Sequence, residues 1–314
     1  MKNNIITIEN LVKRYGSDTL AVDHFNLDVK EGEILGLLGP NGSGKTTTLN
    51  CLLSLLTYDK GTIKIFDKPM APNNYRTKKQ IGVVAQNVAV FEELTVFENI
   101  DYFCGLYISD GKKRKEYVEE AVEFVGLTEY KKFYPKQLSG GLLRRLNIAC
   151  GIAHKPKVII FDEPTVAVDP QSRNKILEGI KELNKMGATI IYTTHYMEEV
   201  EMICSRVAII DKGKKIAEGT KEELKTMIQT GETIRIELLD LPLNVLDEVE
   251  ALSNVISARY KEKTLVVKCK TGTHNLISIL DVLGKHNVAC GRVLSELPTL
   301  NDVFLEITGK ELRD

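Results

Sequence analysis

The sequence predicts an α/β fold built on a parallel sheet, followed by a second, smaller α+β domain. Three features carry that expectation. The apolar runs at 34–38, 158–161 and 189–192 are continuous rather than alternating, as strands covered on both faces by helices must be. A glycine-rich turn at 39–44 joins the first run to a helical pattern, and strand–helix alternation resumes to about residue 210. Past about residue 226 the order of elements changes, and 314 residues suit two cores better than one.

The chain opens with Ile6, Ile8, Ala21, Phe25, Leu27 and Val29 in the alternating pattern of half-exposed antiparallel strands, so a β-subdomain leads it. After Gly44, leucines at 49, 52, 53 and 56 keep the spacing of a helix lying on a sheet. Residues 95–155 are charged and helical in pattern, with TVFENIDYFCGLY and KRKEYVEEAVEFVGL as helices, which makes about 87–155 a helical subdomain. The first domain is expected to cover 1–225 and the second 226–314. Within the second, strands are expected at 233–239, 255–260, 264–269 and 288–294, helices at 244–252 and 275–286, and a last helix after Pro298. That β-α-β-β-α-β order is the split arrangement of ferredoxin-like domains.

Composition narrows the function classes. Hydrophobic content of 43% beside 27% charged residues is ordinary for a globular protein. A net charge of −1 supplies no basic excess, so no nucleic-acid partner is expected. Six cysteines without a C-x-x-C pair read as free, buried thiols in a reducing compartment. MKNNIITIEN lacks the apolar stretch of an export signal, which points to the cytoplasm. Between Glu33 and Asp59 the only charge is Lys45, but the glycines and proline of 39–44 would break a membrane-spanning helix there.

The residues Gly39, Pro40, Asn41, Gly42, Ser43, Gly44, Lys45 and Thr46 fill G-x-x-x-x-G-K-[ST] between a strand and a helix, the setting of the phosphate-binding P-loop. Its glycines let backbone N–H groups turn around phosphate oxygens, and the helix N-terminus adds positive potential. Lys45 brings a full charge to the outer phosphates, Thr46 offers its hydroxyl to magnesium, and Thr47 belongs to the same contact set. The expected ligand is a nucleoside triphosphate on a P-loop NTPase fold. Kinases, GTPases, helicases and motors share that loop, so the reaction must be read elsewhere.

The strand at 158–161 runs into Asp162, Glu163 and Pro164. Asp162 suits the magnesium shell, and Glu163 suits orienting or deprotonating an attacking water; as bare structure the pair would only cap a turn. Leu138, Ser139, Gly140, Gly141 and Leu142 open a helix with apolar residues at 142, 146, 149 and 153. Ser139 suffices as an N-cap, yet serine and two glycines at a helix start also make a second anion receptor.

With these motifs in this order, the chain resembles the nucleotide-binding subunits of ATP-binding cassette (ABC) transporters over about residues 4–220. The resemblance implies roles for Tyr15 in stacking on adenine, Gln86 in touching magnesium or water, Asp169 in the D-loop and His195 in sensing the γ-phosphate. It implies ATP and magnesium as cofactors, and Leu138, Ser139, Gly140 and Gly141 as a signature that closes over the nucleotide of a partner subunit. It further implies a homodimer or paired ATPase subunit on an integral membrane permease, at the inner face of the cell membrane, with the permease's helix received beside Gln86 and FEELTVFENI.

TVAVDPQSRNKI and the tail LPTLNDVFLEITGKELRD are similar to the bacterial exporter subgroup for drugs, antibiotics or sodium, whose members carry such a C-terminal extension. Departures from the family pattern are Leu142 where glutamine is common, Ala85 where proline is frequent, and Val166, Ala167 and Val168 ahead of Asp169. None removes a charged group. Two other classes fit less well: a cytosolic ATP-driven switch on ribosomes or DNA, which would need a second cassette or a long coiled coil, and an ATP-binding regulatory module without turnover.

Overall fold

The computed structural model describes residues 3–16, 19–270 and 275–309. The chain forms two compact units, one running to Thr220 and the other beginning at Lys221. In the first unit the strands are β1 (Asn4–Tyr15), β2 (Thr19–Lys30), β3 (Ile34–Leu38), β4 (Lys60–Ile65), β5 (Lys68–Pro69), β6 (Ile81–Val84), β7 (Val158–Asp162), β8 (Thr189–Thr194), β9 (Arg206–Asp211) and β10 (Lys214–Gly219). Its helices are α1 (Lys45–Leu52), α2 (Tyr75–Lys78), α3 (Val96–Gly105), α4 (Gly111–Phe124), α5 (Gly140–Ile152), α6 (Pro170–Lys185) and α7 (Met197–Ile203).

The leading strands pair antiparallel in the order β2-β1-β4-β5. The second sheet runs β10-β9-β3-β8-β7-β6, parallel from β9 to β6 with β10 antiparallel at the edge. Every residue of β3, β7 and β8 is buried, the physical meaning of their uninterrupted apolar runs. Ile6, Phe25 and Ile63 of the antiparallel sheet share one core with Leu49 and Leu52 of α1 and with Leu35 and Ile191 of the parallel sheet. Residues 38 to 45, between β3 and α1, therefore sit on a rigid base.

One expected helix is shorter than its leucine spacing. The chain leaves α1 after Leu52, because Ser54 takes a left-handed conformation (φ 52) and the N–H groups of Leu55 and Leu56 both turn back to the Asn50 carbonyl. Leu53 and Leu56 still reach the core, so the apolar spacing marks burial rather than helix length.

The region expected to be helical holds α3, α4 and α5, each started by a side-chain cap. Thr95 and Glu98 form a capping box at α3, Asp110 caps α4, and Ser139 caps α5. At the far edge of the sheet, Arg206 ties three strands: it pairs with Asp28 of β2 and Glu218 of β10, and with Glu33 just before β3 at 2.9 Å.

The second unit contains α8 (Lys221–Thr226), β11 (Thr230–Leu238), α9 (Leu243–Glu250), β12 (Val255–Lys261), β13 (Thr264–Lys270), α10 (Asn275–Lys285), β14 (Cys290–Glu296) and α11 (Leu300–Thr308). Its strands order β12-β13-β11-β14, every pair antiparallel, which is the ferredoxin-like arrangement. Ile234, Ile236, Leu265, Val267, Val249 and Ile279 form a core of its own. Residues 310–314, the end of the tail segment, lie outside the described residues. Among the described residues no helix is long and apolar enough to cross a membrane. Among the described residues no disulfide joins the six cysteines, five of which are buried while Cys290 is exposed.

Candidate active site

The phosphate turn is built from what its glycines permit. A Cβ on Gly39 would stand 2.2 Å from the Ile210 carbonyl oxygen, and Gly44 holds φ +105 with the Ala21 carbonyl 2.5 Å from where its Cβ would be. Gly44 occupies the N-cap of α1 and no side chain caps that helix, so its first N–H groups face outward for an anion. Ser43 Oγ is buried without a partner at the same turn. Lys45, only 4% exposed, donates to the carbonyls of Gly39 (2.8 Å) and Pro40 (3.1 Å). An uncapped helix start, a buried orphan hydroxyl and a buried ammonium fit a phosphate chain.

Behind Lys45 lie the two carboxylates at the end of β7. Thr46 Oγ1 donates to Asp162 Oδ2 at 3.0 Å, and Thr193 Oγ1 donates to Asp162 Oδ1 at 2.6 Å. These are hard oxygen donors beside the phosphate turn, the chemistry a magnesium ion requires. Glu163 adopts φ 47, a left-handed conformation rare for a side chain of its size, so its carboxylate leaves the strand's alternation. Its N–H is held by Thr193 Oγ1 (3.0 Å) and the Thr193 carbonyl (3.1 Å). One oxygen, Oε1, pairs with Lys45 Nζ at 3.1 Å. The other, Oε2, accepts from Gln86 Nε2 at 3.2 Å and has His195 Nδ1 at 3.4 Å, too poorly aimed for a hydrogen bond.

Lys45, Thr46, Gln86, Asp162, Glu163 and His195 thus converge although they come from four separate parts of the chain. Other expected residues stand elsewhere. Tyr15 is 44% exposed, with Lys13 Nζ 5.4 Å above its ring. Asp169 caps α6 through the Ser172 N–H (2.9 Å), and the hydrogen bonds from Ser172 hold its carboxyl below the usual range. Ser139 and Gly140 are exposed, and among the described residues no hydrogen bond joins 138–142 to 39–46. A Cβ on Gly140 would meet nothing within 4 Å. A Cβ on Gly42, in the 39–44 turn, likewise meets nothing within 4 Å.

Three contributors escaped the motif reading. Thr193, through one hydroxyl, donates to the Asp162 carboxylate and accepts from the Glu163 backbone N–H. Arg144 and Asn147, on α5, donate to the Ala85 carbonyl at 3.1 and 3.3 Å, and Asn147 Oδ1 accepts from the Ala89 N–H at 3.2 Å. The loop carrying Gln86 is therefore held by the helix that the signature begins. Their i, i+3 spacing was the available signal, but polar residues at that spacing usually mark a solvated face.

A family model described as ABC transporter matches residues 22–166. Over 312 residues the chain is 37% identical to the linearmycin resistance ATP-binding protein of Bacillus subtilis, covering 99% of this chain and 100% of that protein. It is 34% identical over 319 residues to a Nod factor export ATP-binding protein of Ralstonia nicotianae, covering 99% and 95%. Among solved structures, a dimeric post-hydrolysis state of an ATP-binding cassette bound to ADP and phosphate matches with TM-score 0.63 and 28% identity, over 68% of this chain and 98% of that one. By sequence along nearly its whole length and by fold over 68% of it, the chain belongs to the ABC transporter family as one of its ATP-binding, ATP-hydrolysing subunits.

Proposed function

We propose that the chain energises a separate membrane permease, at the inner face of the cell membrane, for export of a drug, antibiotic, peptide, lipid or ion. Relatives named for linearmycin resistance and Nod factor export support the export direction. Two ATP molecules lie between two such subunits, each held by one protomer's phosphate turn and the other's Ser139, Gly140 and Gly141. The observation that carries this reading is the buried cluster of Lys45, Asp162 and Glu163, touched by Gln86 and His195, beside the uncapped start of α1.

The cluster's geometry supplies a sequence of events. Without nucleotide, Lys45 is satisfied by two carbonyls and by Glu163. A γ-phosphate competes for that ammonium, and Glu163, losing its partner, becomes free to accept a proton from water. Magnesium, when bound at Thr46 and Asp162 with Gln86 nearby, would neutralise charge on the outer phosphates. His195 then turns from Glu163 to the γ-phosphate, and Tyr15 offers its exposed face to adenine. Hydrolysis removes the charge that draws the second subunit's signature in, so the pair reopens.

Glu163→Gln keeps the size and one of the two acceptor oxygens but cannot take the proton. Turnover measured by phosphate release is expected to fall at least about 100-fold while ATP still binds and drives pairing of subunits. Wild-type turnover in that variant overturns the assignment of Glu163. Pull-down of the full chain from its own membranes is expected to bring an integral membrane protein; ribosomes or DNA in its place would overturn the transport reading.

A further inference from the structure

Behind His195 stands a carboxylate to which no role has been given. Glu199, on α7, is 1% exposed. Its Oε2 accepts from the Tyr192 hydroxyl and from Thr194 Oγ1, both at 2.8 Å. Tyr192 in turn lies 3.4 Å from the hydroxyl of Thr165, which follows Glu163 by two residues. Thr194 Oγ1 also accepts from the Tyr196 N–H at 2.9 Å, so it fixes the backbone that carries His195.

The other oxygen, Oε1, has no hydrogen-bond partner. It faces Arg173 Nε on α6 at 3.6 Å, and that nitrogen is also buried and unpartnered. Folded proteins rarely leave two buried polar atoms facing one another without a hydrogen bond. A relative shift of less than about 1 Å between α6 and α7 would bring them to charge-assisted hydrogen-bond distance. The ion pair is present at 3.6 Å, and its hydrogen bond is not.

What moves α6 can be read from its first turn. Arg173 donates its N–H to the Asp169 carbonyl at 2.9 Å. Asp169 and Ser172 form the floor under Gly141, where a Cβ would come within 2.3 Å of Ser172 Oγ and 3.2 Å of Asp169 Oδ2. The starts of α5 and α6 are thus packed directly against each other. At its other end Arg173 lies over the Tyr196 ring at 4.7 Å, and the Tyr196 and His195 rings are 4.1 Å apart. Contacts run unbroken from the exposed signature to Glu163 of the same chain.

We propose that Arg173 and Glu199 close into a hydrogen-bonded ion pair when a partner's nucleotide settles on Ser139, Gly140 and Gly141, and that Glu199 is thereby the positioning residue for His195. This rests on the shared-site reading above. The phosphate bound in trans draws the start of α5, α6 follows through Gly141, and Arg173 meets Glu199. Each chain's own histidine is then set only after its signature is occupied. Such an arrangement makes the two sites of a dimer wait for each other.

The test is ATP turnover by the full chain carrying Glu199→Gln, Arg173→Gln and both changes, beside Glu163→Gln and melting curves. Each single change is expected to lower kcat about tenfold with KM shifted less than about threefold, the signature of a group acting only in the transition state. The double variant is expected to be no worse than either single one. Arg173→Lys is expected to recover part of the rate. Wild-type kcat in Glu199→Gln, losses confined to KM, or losses that add in the double variant would overturn the inference. If Glu199→Gln fails to fold, Arg173→Gln decides alone, since that side chain is 32% exposed. An active Glu163→Gln removes the underlying reading; an inactive one beside a fully active Glu199→Gln removes this inference only.

Discussion

At the scale of single residues, the site depends on where a side chain is forbidden. Gly44 and Gly140 belong to the two proposed phosphate receptors, yet their surroundings differ. Gly44→Ala places a Cβ 2.5 Å from a backbone oxygen at φ +105, and its cost is expected at about 1–3 kcal/mol by denaturant unfolding. Gly140→Ala meets open space, and stability is expected to hold within about 0.5 kcal/mol while turnover falls, because the added methyl stands where a partner's phosphate approaches. Equal stability losses in both would contradict the open-sided signature. Glu163 shows the converse: a bulky residue kept at φ 47 because two bonds to Thr193 hold its N–H. Strand alternation would have sent Asp162 and Glu163 to opposite faces, and no sequence pattern announces the left-handed turn that avoids this.

Between elements, stability rests on a few buried polar groups. Arg206 joins β2, β10 and the residue ahead of β3, and Arg206→Ala is expected to cost about 3 kcal/mol because Glu33, 8% exposed, is left without its cation. His154, at the end of α5, is stacked on Tyr107 at 4.0 Å with Nε2 3.2 Å from the Ile81 carbonyl, and burial pushes its pKa down to about 4. The unfolded chain takes up that proton near the ordinary 6.5 while the folded one resists to about 4. Stability from this residue is therefore complete above pH 6.5 and lost as pH falls toward 4, by about 3 kcal/mol. In His154→Phe the fall in melting temperature across that window is expected to be shallower; an unchanged slope would contradict it. Elements of this kind were legible to different degrees. The continuous runs of β3, β7 and β8 marked a parallel sheet because burial on both faces leaves no polar position. The leucine at 56 misplaced the end of α1, since periodicity records which side chains are buried and Ser54 alone ends the helix. Arg144, Asn147 and Glu199 were hidden for a related reason: charge and amide groups read as solvent-facing until the fold encloses them.

For the whole molecule, separate cores in the two units lead to the expectation that residues 1–220 alone fold and bind ATP, with loss of binding on truncation as the contrary result. The larger claim is that no protomer holds a complete hydrolytic site. Lys45, Asp162 and Glu163 are buried, whereas Ser139 and Gly140 are exposed. The most direct measurement is ATP turnover by an equimolar mixture of Lys45→Ala and Ser139→Arg chains, with crosslinking to show that they pair. Each variant alone is expected to be inactive, and the mixture to regain turnover: half of random pairs hold one intact site of two, which sets a ceiling of about one quarter of wild type, and the rate is expected about tenfold below that ceiling because the chain whose phosphate turn is intact carries the altered signature. Paired chains whose mixture stays at the sum of the separate variants would contradict a site shared between subunits.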